Sequence, residues 1–199
     1  MISRFAASGS GPCESSVRAP GARRLRLDRI DLYQLHTPDP SLPYAESIGA
    51  LSALRSEGKI RHIGVSNVTP EQLAAARTIT GIATVQNRLN LANGNWHDML
   101  TECEQHETGF IPYRPLRAWD DPAHRQVLTA AAARHSASTS QIALAWLLAV
   151  SPITLPIPGT ATSAHLEDNL AAATLQLERD EIHAITAAAS RAMRSARLA

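Results

Sequence analysis

The sequence predicts an α/β protein built from consecutive βα units, and three observations support this. Five short apolar segments read as strands, and each is followed by a helical pattern: residues 30–36, 60–65, 82–86, 110–113 and 153–157. They do not alternate cleanly between apolar and polar, which is typical of parallel strands buried on both faces. Each ends in, or runs into, a polar or ring-bearing residue. Residues suited to binding or catalysis at the carboxyl ends of successive parallel strands indicate a (β/α) barrel. Five units are predicted, whereas a complete barrel of this type has eight.

Helix starts are clearly marked. Two capping boxes are predicted, Thr69–Gln72 with Pro70 in the first turn, and Ser138–Gln141. Further helices are expected to open at Asp121-Pro122, to run from Thr162 or Ser163 to about Ala173, and to span residues 178–193 with Ile182, Ile185 and Ala189 on one face.

The predicted domain organisation is one α/β region over residues 25–193. Residues 1–24 read as a disordered or ill-fitting leader, and 194–199 as a short basic tail. A net charge of +1 and 4% aromatic residues argue against a nucleic-acid partner. The longest apolar run, 142–150, is too short to span a membrane, which needs ~20 residues. Cys13 and Cys103 have no CxxC spacing, so we expect a reducing, cytoplasmic location.

Five motifs in order carry a family resemblance. They are residues 28–36 (DRIDLYQLH), 58–67 (GKIRHIGVSN), 85–87 (VQN), 113–116 (YRPL), and 156–160 (PIPGT) continuing into 165–169 (HLEDN). In order and spacing this chain resembles the aldo-keto reductase family over about residues 25–190. The resemblance implies a (β/α)8 TIM-barrel lineage in which these five units are strands 4 to 8.

The resemblance also implies a function, the reduction of an aldehyde or ketone with a nicotinamide cofactor, NADPH more than NADH. By position, His36 would hydrogen-bond the substrate carbonyl. The cofactor-binding residues would be Ser66, Asn67 and Gln86 on the carboxamide, Tyr113 stacked on the ring, and Gly159, Thr160, Ser163 and Asn169 on the adenosine phosphates and adenine. Hydroxyl and amide side chains match the donors and acceptors of a carboxamide. Taken singly, these residues read as an ordinary hydrogen-bonded strand end, turn, loop or core position, and the site assignment depends on all five motifs occurring in order.

The same resemblance places the catalytic aspartate, tyrosine and lysine in three earlier units, which the residues before Leu25 are too few to form. Lys59 is the only lysine, and it precedes its strand, so we expect it at the opposite end of the sheet. Tyr33 and Tyr44 do not lie in the context of the catalytic tyrosine. Two function classes therefore stay open. One is a reductase whose activity in this chain alone is weak, and the other is a non-catalytic remnant or binding subunit with weak cofactor affinity.

Other constellations are less persuasive. His97, Cys103 and His106 do not have the spacing of a zinc site, so no metal is expected. Asp31 and His36 point to opposite faces of one strand, which argues against a Ser66–His36–Asp31 triad. An incomplete barrel would leave the strand ending in His36 and the strand 153–157 as open edges, so self-association is also expected.

Overall fold

The structure, a computed structural model, describes residues 26–92, 97–116 and 122–196. The strands are β1 (Ile30–Leu35), β2 (Ile60–Ser66), β3 (Thr84–Gln86) and β4 (Gly109–Phe110). The helices are α1 (Tyr44–Ser56), α2 (Pro70–Ile79), α3 (His97–Gln105), α4 (Pro122–His135), α5 (Thr139–Ala149), α6 (Ser163–Ala171), which a 3-10 turn (Ala172–Thr174) follows, and α7 (Arg179–Ala196). The predicted leader, residues 1–24, lies outside the described residues.

The four strands form one sheet in the order β1-β2-β3-β4, and every pair is parallel. Each strand leads into a helix or a helix-containing connection before the next strand begins. The predicted sequential, parallel βα organisation of a partial barrel is therefore confirmed.

The fifth predicted strand differs from expectation. Residues 153–157 form no regular strand, but they lie beside β4 through two isolated parallel bridges, Phe110 with Thr154 and Tyr113 with Ile157. Leu155 N donates to Phe110 O (2.8 Å) and Ile157 N donates to Pro112 O (3.2 Å). Pro112 and Pro156 have no amide hydrogen, so a continuous ladder cannot form here. Pro112 also lies within the predicted strand 110–113, and the observed β4 has only two residues, Gly109–Phe110.

Several boundaries also move. Strand β3 begins at Thr84 rather than Ile82, and His36 lies one residue beyond the end of β1. Helix α7 continues past Met193 to Ala196, into the stretch predicted as a tail. Helix α4 begins at Pro122 as predicted, although Asp121 itself is outside the described residues.

Both capping boxes form. Thr69 Oγ1 accepts from Gln72 N (3.2 Å) while Gln72 Oε1 accepts from Thr69 N (2.9 Å) at the start of α2. Ser138 and Gln141 make the reciprocal pair at α5, with distances of 3.2 and 2.8 Å. These side chains satisfy amides that have no partner within the helix, so the sequence starts each helix at a defined residue.

The core lies between the sheet and its helices. Register aligns Leu35, Val65, Val85 and Phe110 in one row, and all four belong to the buried cluster that also contains helix residues such as Leu73. On α7, Ile185 and Ala189 are buried, as predicted. No helix among the described residues is long and apolar enough to cross a membrane.

The other face of the sheet is more open than the sequence suggested. Gln34, Gly64 and Thr84 are aligned there, and Leu32 of the edge strand β1 is 37% exposed. The expectation that every strand is buried on both faces is wrong for β1, in which Asp31 and Leu32 are exposed and Tyr33 and Gln34 are only half-buried.

Candidate functional site at the carboxyl ends of the strands

The carboxyl ends of β2, β3 and β4 bring several predicted site residues together. Ser66 is the last residue of β2 and is aligned with Gln86, the last residue of β3. Asn67 N donates to Gln86 O (3.2 Å), and Tyr113 N donates to Asn87 O (3.2 Å), so main-chain hydrogen bonds continue past the strand ends. Parallel strands end at the same edge of a sheet, and this explains why residues far apart in sequence meet here.

Asn67 lies at the centre of the group. Its amide nitrogen donates to His36 O (2.8 Å) and Ser66 Oγ (3.1 Å), and its Oδ1 accepts from the Tyr113 hydroxyl (2.7 Å). Its φ of 57° is in the left-handed region, which asparagine adopts more easily than most residues. The side chain thereby links the ends of β1, β2 and β4. We call Ser66, Asn67, Gln86 and Tyr113, with the carbonyl of His36, the Asn67 cluster.

Ser66 and Gln86 differ in exposure. Ser66 is fully buried, and its hydroxyl donates to Gln86 O (2.6 Å). The Gln86 and Tyr113 side chains are half-buried, while Asn67 and His36 are exposed. The cluster therefore presents a tyrosine ring, two amide groups and an imidazole at an accessible edge.

Asn87 supports this arrangement, although the sequence assigned it no role. Its Nδ2 donates to Val68 O (2.7 Å) and its Oδ1 accepts from Val68 N (3.2 Å). These two bonds hold the turn that follows Asn67. In the sequence Asn87 was part of the motif at residues 85–87, but nothing in that motif indicated that its side chain holds Val68.

The other predicted cofactor residues form a second group. Gly159 and Thr160 are exposed and follow Ile157, which is bridged to Tyr113, so this loop begins beside the Asn67 cluster. Ser163 is the first residue of α6, and Asn169 lies in its second half, half-buried. Thr162 Oγ1 accepts from His165 N (3.2 Å), and Leu166 N donates to Thr162 O (3.1 Å). In the described structure the amides of Ser163 and Ala164 have no such partner, as expected for the first turn of a helix.

Lys59 lies at the other end of β2 from Asn67. Its carbonyl accepts from Ile30 N, and its ammonium pairs with Glu57 (2.6 Å). Six residues of β2 lie between Lys59 and Ser66 of the cluster, a distance of about 20 Å.

The remaining tyrosines, Tyr33 and Tyr44, lie outside the Asn67 cluster. Tyr33 packs against the core. Burial raises the pKa of Tyr44 to about 12, and its hydroxyl is buried without a partner. A raised pKa makes this phenol a poorer proton donor.

The alternative constellations also find no support. Burial raises the pKa of the Cys103 thiol to about 12, and the His106 imidazole pairs with Glu102 (3.4 Å). Among residues 26–92, 97–116 and 122–196 no three His, Cys, Asp or Glu side chains are grouped as metal ligands. The Ser66 hydroxyl donates to a main-chain carbonyl, and Asp31 lies 3.9 Å from Arg61.

Comparison with known proteins places this arrangement in context. The model of the aldo/keto reductase family matches residues 15–118 and 122–190. An uncharacterised oxidoreductase of Schizosaccharomyces pombe is 41% identical over 158 residues, covering 79% of this chain and 52% of that protein. Pyridoxine 4-dehydrogenase of Escherichia coli is 38% identical over 164 residues, covering 79% of this chain and 57% of that protein.

Solved structures agree. A thermostable aldo-keto reductase crystallised with the inhibitor epalrestat superposes with a TM-score of 0.79 at 31% identity, covering 84% of this chain and 62% of the other. An aldo/keto reductase from Klebsiella pneumoniae in complex with NADP and acetate gives 0.72 at 32% identity, covering 82% and 60%. The chain spans a little over half the length of the curated relatives it matches. By its sequence, its parallel βα fold and these matches, the chain belongs to the aldo/keto reductase family.

Proposed function

We propose that this chain carries the nicotinamide-binding part of an oxidoreductase that reduces an aldehyde or ketone with NADPH. The observation that carries the proposal is the Asn67 cluster, in which a tyrosine ring and neutral amide and hydroxyl groups meet at the carboxyl end of the sheet. A related aldo/keto reductase structure contains NADP. Family membership supports the same reaction class.

The chemistry of the cluster fits a nicotinamide. A carboxamide offers one acceptor and two donors, and the half-buried Gln86 amide and the Asn67 Oδ1 supply matching groups without adding charge. The Tyr113 ring is held by its hydroxyl on Asn67, which leaves a ring face for stacking on the nicotinamide. We assign carboxamide binding to Ser66, Asn67 and Gln86 and ring stacking to Tyr113.

The adenosine phosphates are assigned to the second group, Gly159, Thr160, Ser163 and Asn169. The unpartnered amides in the first turn of α6 suit an anion, because helix N-termini attract negative charge. A Cβ at Gly159 would have no heavy atom within 4 Å, so there is open space beside this loop. The choice of NADPH over NADH is part of the proposal.

His36 is assigned to the carbonyl substrate. Its carbonyl oxygen is held by Asn67, which orients the exposed residue at the end of β1. The chemistry that a bound reduced nicotinamide would supply is a hydride for the carbonyl carbon, and His36 would hydrogen-bond the carbonyl oxygen as that oxygen gains negative charge.

One observation favours binding without turnover as a second candidate. Lys59 is at the far end of β2, and the Tyr113 hydroxyl donates to Asn67, so the described cluster offers no tyrosine with a lysine beside it. Losing a general acid costs about 10²–10⁴-fold in rate. We accordingly propose weak binding and low turnover for the chain alone.

We also propose a cytoplasmic location for the protein. The buried, free Cys103 is compatible with this location.

A steady-state assay separates the two candidates. Reduction of 4-nitrobenzaldehyde is followed by loss of NADPH absorbance, for the 199-residue chain and for a chimera in which three βα units of a complete relative precede Leu25. We expect near-background rates for the chain and a gain of at least about 10²-fold for the chimera. Ordinary enzyme rates in the chain itself, lost in His36→Ala, would contradict the proposal and make His36 the acid.

A further inference from the structure

Helix α6 is held in an unusual way. None of its nine residues is buried, and its two leucines, Leu166 and Leu170, are 49% and 64% exposed. Apolar packing therefore contributes little to its position. The adjoining Ala172, in the 3-10 turn, is buried and anchors only the carboxyl end.

Two hydrogen bonds connect α6 to the start of α5. Ser138 Oγ donates to Asp168 Oδ2 (3.0 Å), and Gln141 Nε2 donates to Asp168 O (3.1 Å). We call these three residues the α6 brace. The carboxylate of Asp168 also lies at the N-terminus of α5, where the helix dipole favours negative charge.

The brace uses both residues of the α5 capping box. Ser138 Oγ accepts from Gln141 N and donates to Asp168, and the Gln141 amide accepts from Ser138 N through its oxygen and donates to Asp168 through its nitrogen. Each side chain thus makes one bond within α5 and one to α6. The position of α6 is therefore coupled to a defined point on a helix whose own residues, such as Trp146, are fully buried.

We propose that Asp168 is a positioning residue that fixes α6 so that its first turn meets the phosphates of the cofactor. This inference rests on the proposed function. Ser163 begins the helix five residues before Asp168, a separation of about 7.5 Å along the axis. Removing the brace would let the first turn move while the Asn67 cluster stays in place.

The direction of the change in NADPH affinity distinguishes a positioning role of Asp168 from an effect of its charge. Asp168→Ala removes a negative charge from the helix that is assigned to an anion, which alone would strengthen binding. Positioning predicts weaker binding. Glu167→Ala is the matched control, because it removes one negative charge from the adjacent, exposed position of the same helix.

The variants are designed to keep α5 folded. Asp168→Asn keeps an oxygen that accepts from Ser138 and should behave as wild type. Ser138→Asp keeps the N-cap acceptor but replaces the donor with a second carboxylate, which loses the bond to Asp168. Combining Ser138→Asp with Asp168→Asn restores a hydrogen bond in the reverse direction.

The experiment measures amide hydrogen exchange of residues 166–171 and binding of NADPH and of reduced nicotinamide mononucleotide, which lacks the adenosine part. In Asp168→Ala and Ser138→Asp we expect about tenfold faster exchange and about tenfold weaker NADPH binding, with mononucleotide binding unchanged. Asp168→Asn, the double variant and Glu167→Ala should show neither effect.

Unchanged exchange in Asp168→Ala overturns the brace, and faster exchange with unchanged NADPH binding overturns its link to the cofactor. If wild type binds the mononucleotide and NADPH equally well, the phosphate role of α6 is wrong. If wild type binds neither, the proposed function and the cofactor role of the brace both fail, while exchange still decides whether Asp168 holds the helix.

Discussion

Gly64 of β2 is buried and has no room for a side chain, and replacing it tests the packing of β2 against its neighbours β1 and β3. A Cβ built there would lie 2.3 Å from Thr84 Oγ1 and 2.9 Å from Gln34 Cγ. Both distances are far below van der Waals contact, and Thr84 is β-branched and restricted in χ1. Overpacking of this kind costs about 1–3 kcal/mol. Gly64→Ala should therefore lower Tm by roughly 2–10 °C.

The assay is thermal and urea unfolding followed by circular dichroism, with two comparison variants. Gly49 lies inside α1 with nothing within 4 Å of its Cβ position, so Gly49→Ala should stabilise the protein by about 0.5–1 kcal/mol. Thr84→Ala removes the nearest atom, and the double variant Gly64→Ala/Thr84→Ala should lose less stability than the sum of the two single variants. Wild-type stability in Gly64→Ala, or strictly additive losses in the double variant, would refute the register that places Thr84 over Gly64.

Three further predictions concern the buried Glu181 and its hydrogen-bond partners, the left-handed turn at Asn67 and the open edges of the sheet. Burial tends to raise the pKa of Glu181, but hydrogen bonds from His135, the Glu178 amide and Arg134 outweigh it and lower the pKa to about 2. Since this value is below that of the unfolded chain, about 4.3, the carboxylate stabilises the fold above about pH 5 and the contribution is lost as the pH falls towards 2. Glu181→Gln should cost about 1–2 kcal/mol at pH 7 after allowance for solvent screening, and clearly less in urea titrations at pH 3; an equal loss at both would contradict this. Asn67→Ala should be less stable than Asn67→Gly by about 1 kcal/mol in the same titrations, because only glycine adopts the left-handed region without strain; the reverse order would count against the observed turn. Exposed leucines at both edges, including Leu32 and Leu155, predict association at micromolar concentration by light scattering, and a monodisperse monomer that unfolds cooperatively would rule it out.

The elements that the sequence predicted well depend on local chemistry. Thr69 with Gln72 and Ser138 with Gln141 start helices through bonds spanning three residues, so the residue types alone indicate the helix start. The order and direction of the strands followed from the alternation of strand and helix, because a helical crossover returns the chain to the same end of the sheet and neighbouring strands then pair in parallel.

The features that the sequence did not reveal depend on long-range geometry or on missing donors. Pro112 and Pro156 interrupt the hydrogen-bond ladder between β4 and residues 153–157. A pattern of apolar residues predicts a strand but does not show that these two amide hydrogens are missing. Glu181 meets His135 across 46 positions, and Ser138 meets Asp168 across 30. Such pairs appear only when the helices are packed.

The sequence predicted that the site residues lie at the ends of strands. It did not predict the hydrogen bonds that connect them. That Asn67 and Gln86 lie at one edge follows from parallel strands ending together. Neither the bond from Tyr113 to Asn67 nor the left-handed φ at Asn67 could be derived from one sequence. Asn87 was part of a recognised motif, yet its role in holding Val68 emerged only from the structure.

Equilibrium binding of NADPH, followed by the fluorescence of its nicotinamide, decides whether the Asn67 cluster is a nicotinamide site. We expect weak but saturable binding to the chain. Tyr113→Ala should weaken it by about tenfold through loss of the stacking ring, whereas Tyr113→Phe, which keeps the ring and loses only the hydroxyl bond to Asn67, should weaken it by less than about threefold. No saturable binding, or equal affinity in wild type and Tyr113→Ala, would contradict the assignment of this cluster as a nicotinamide site.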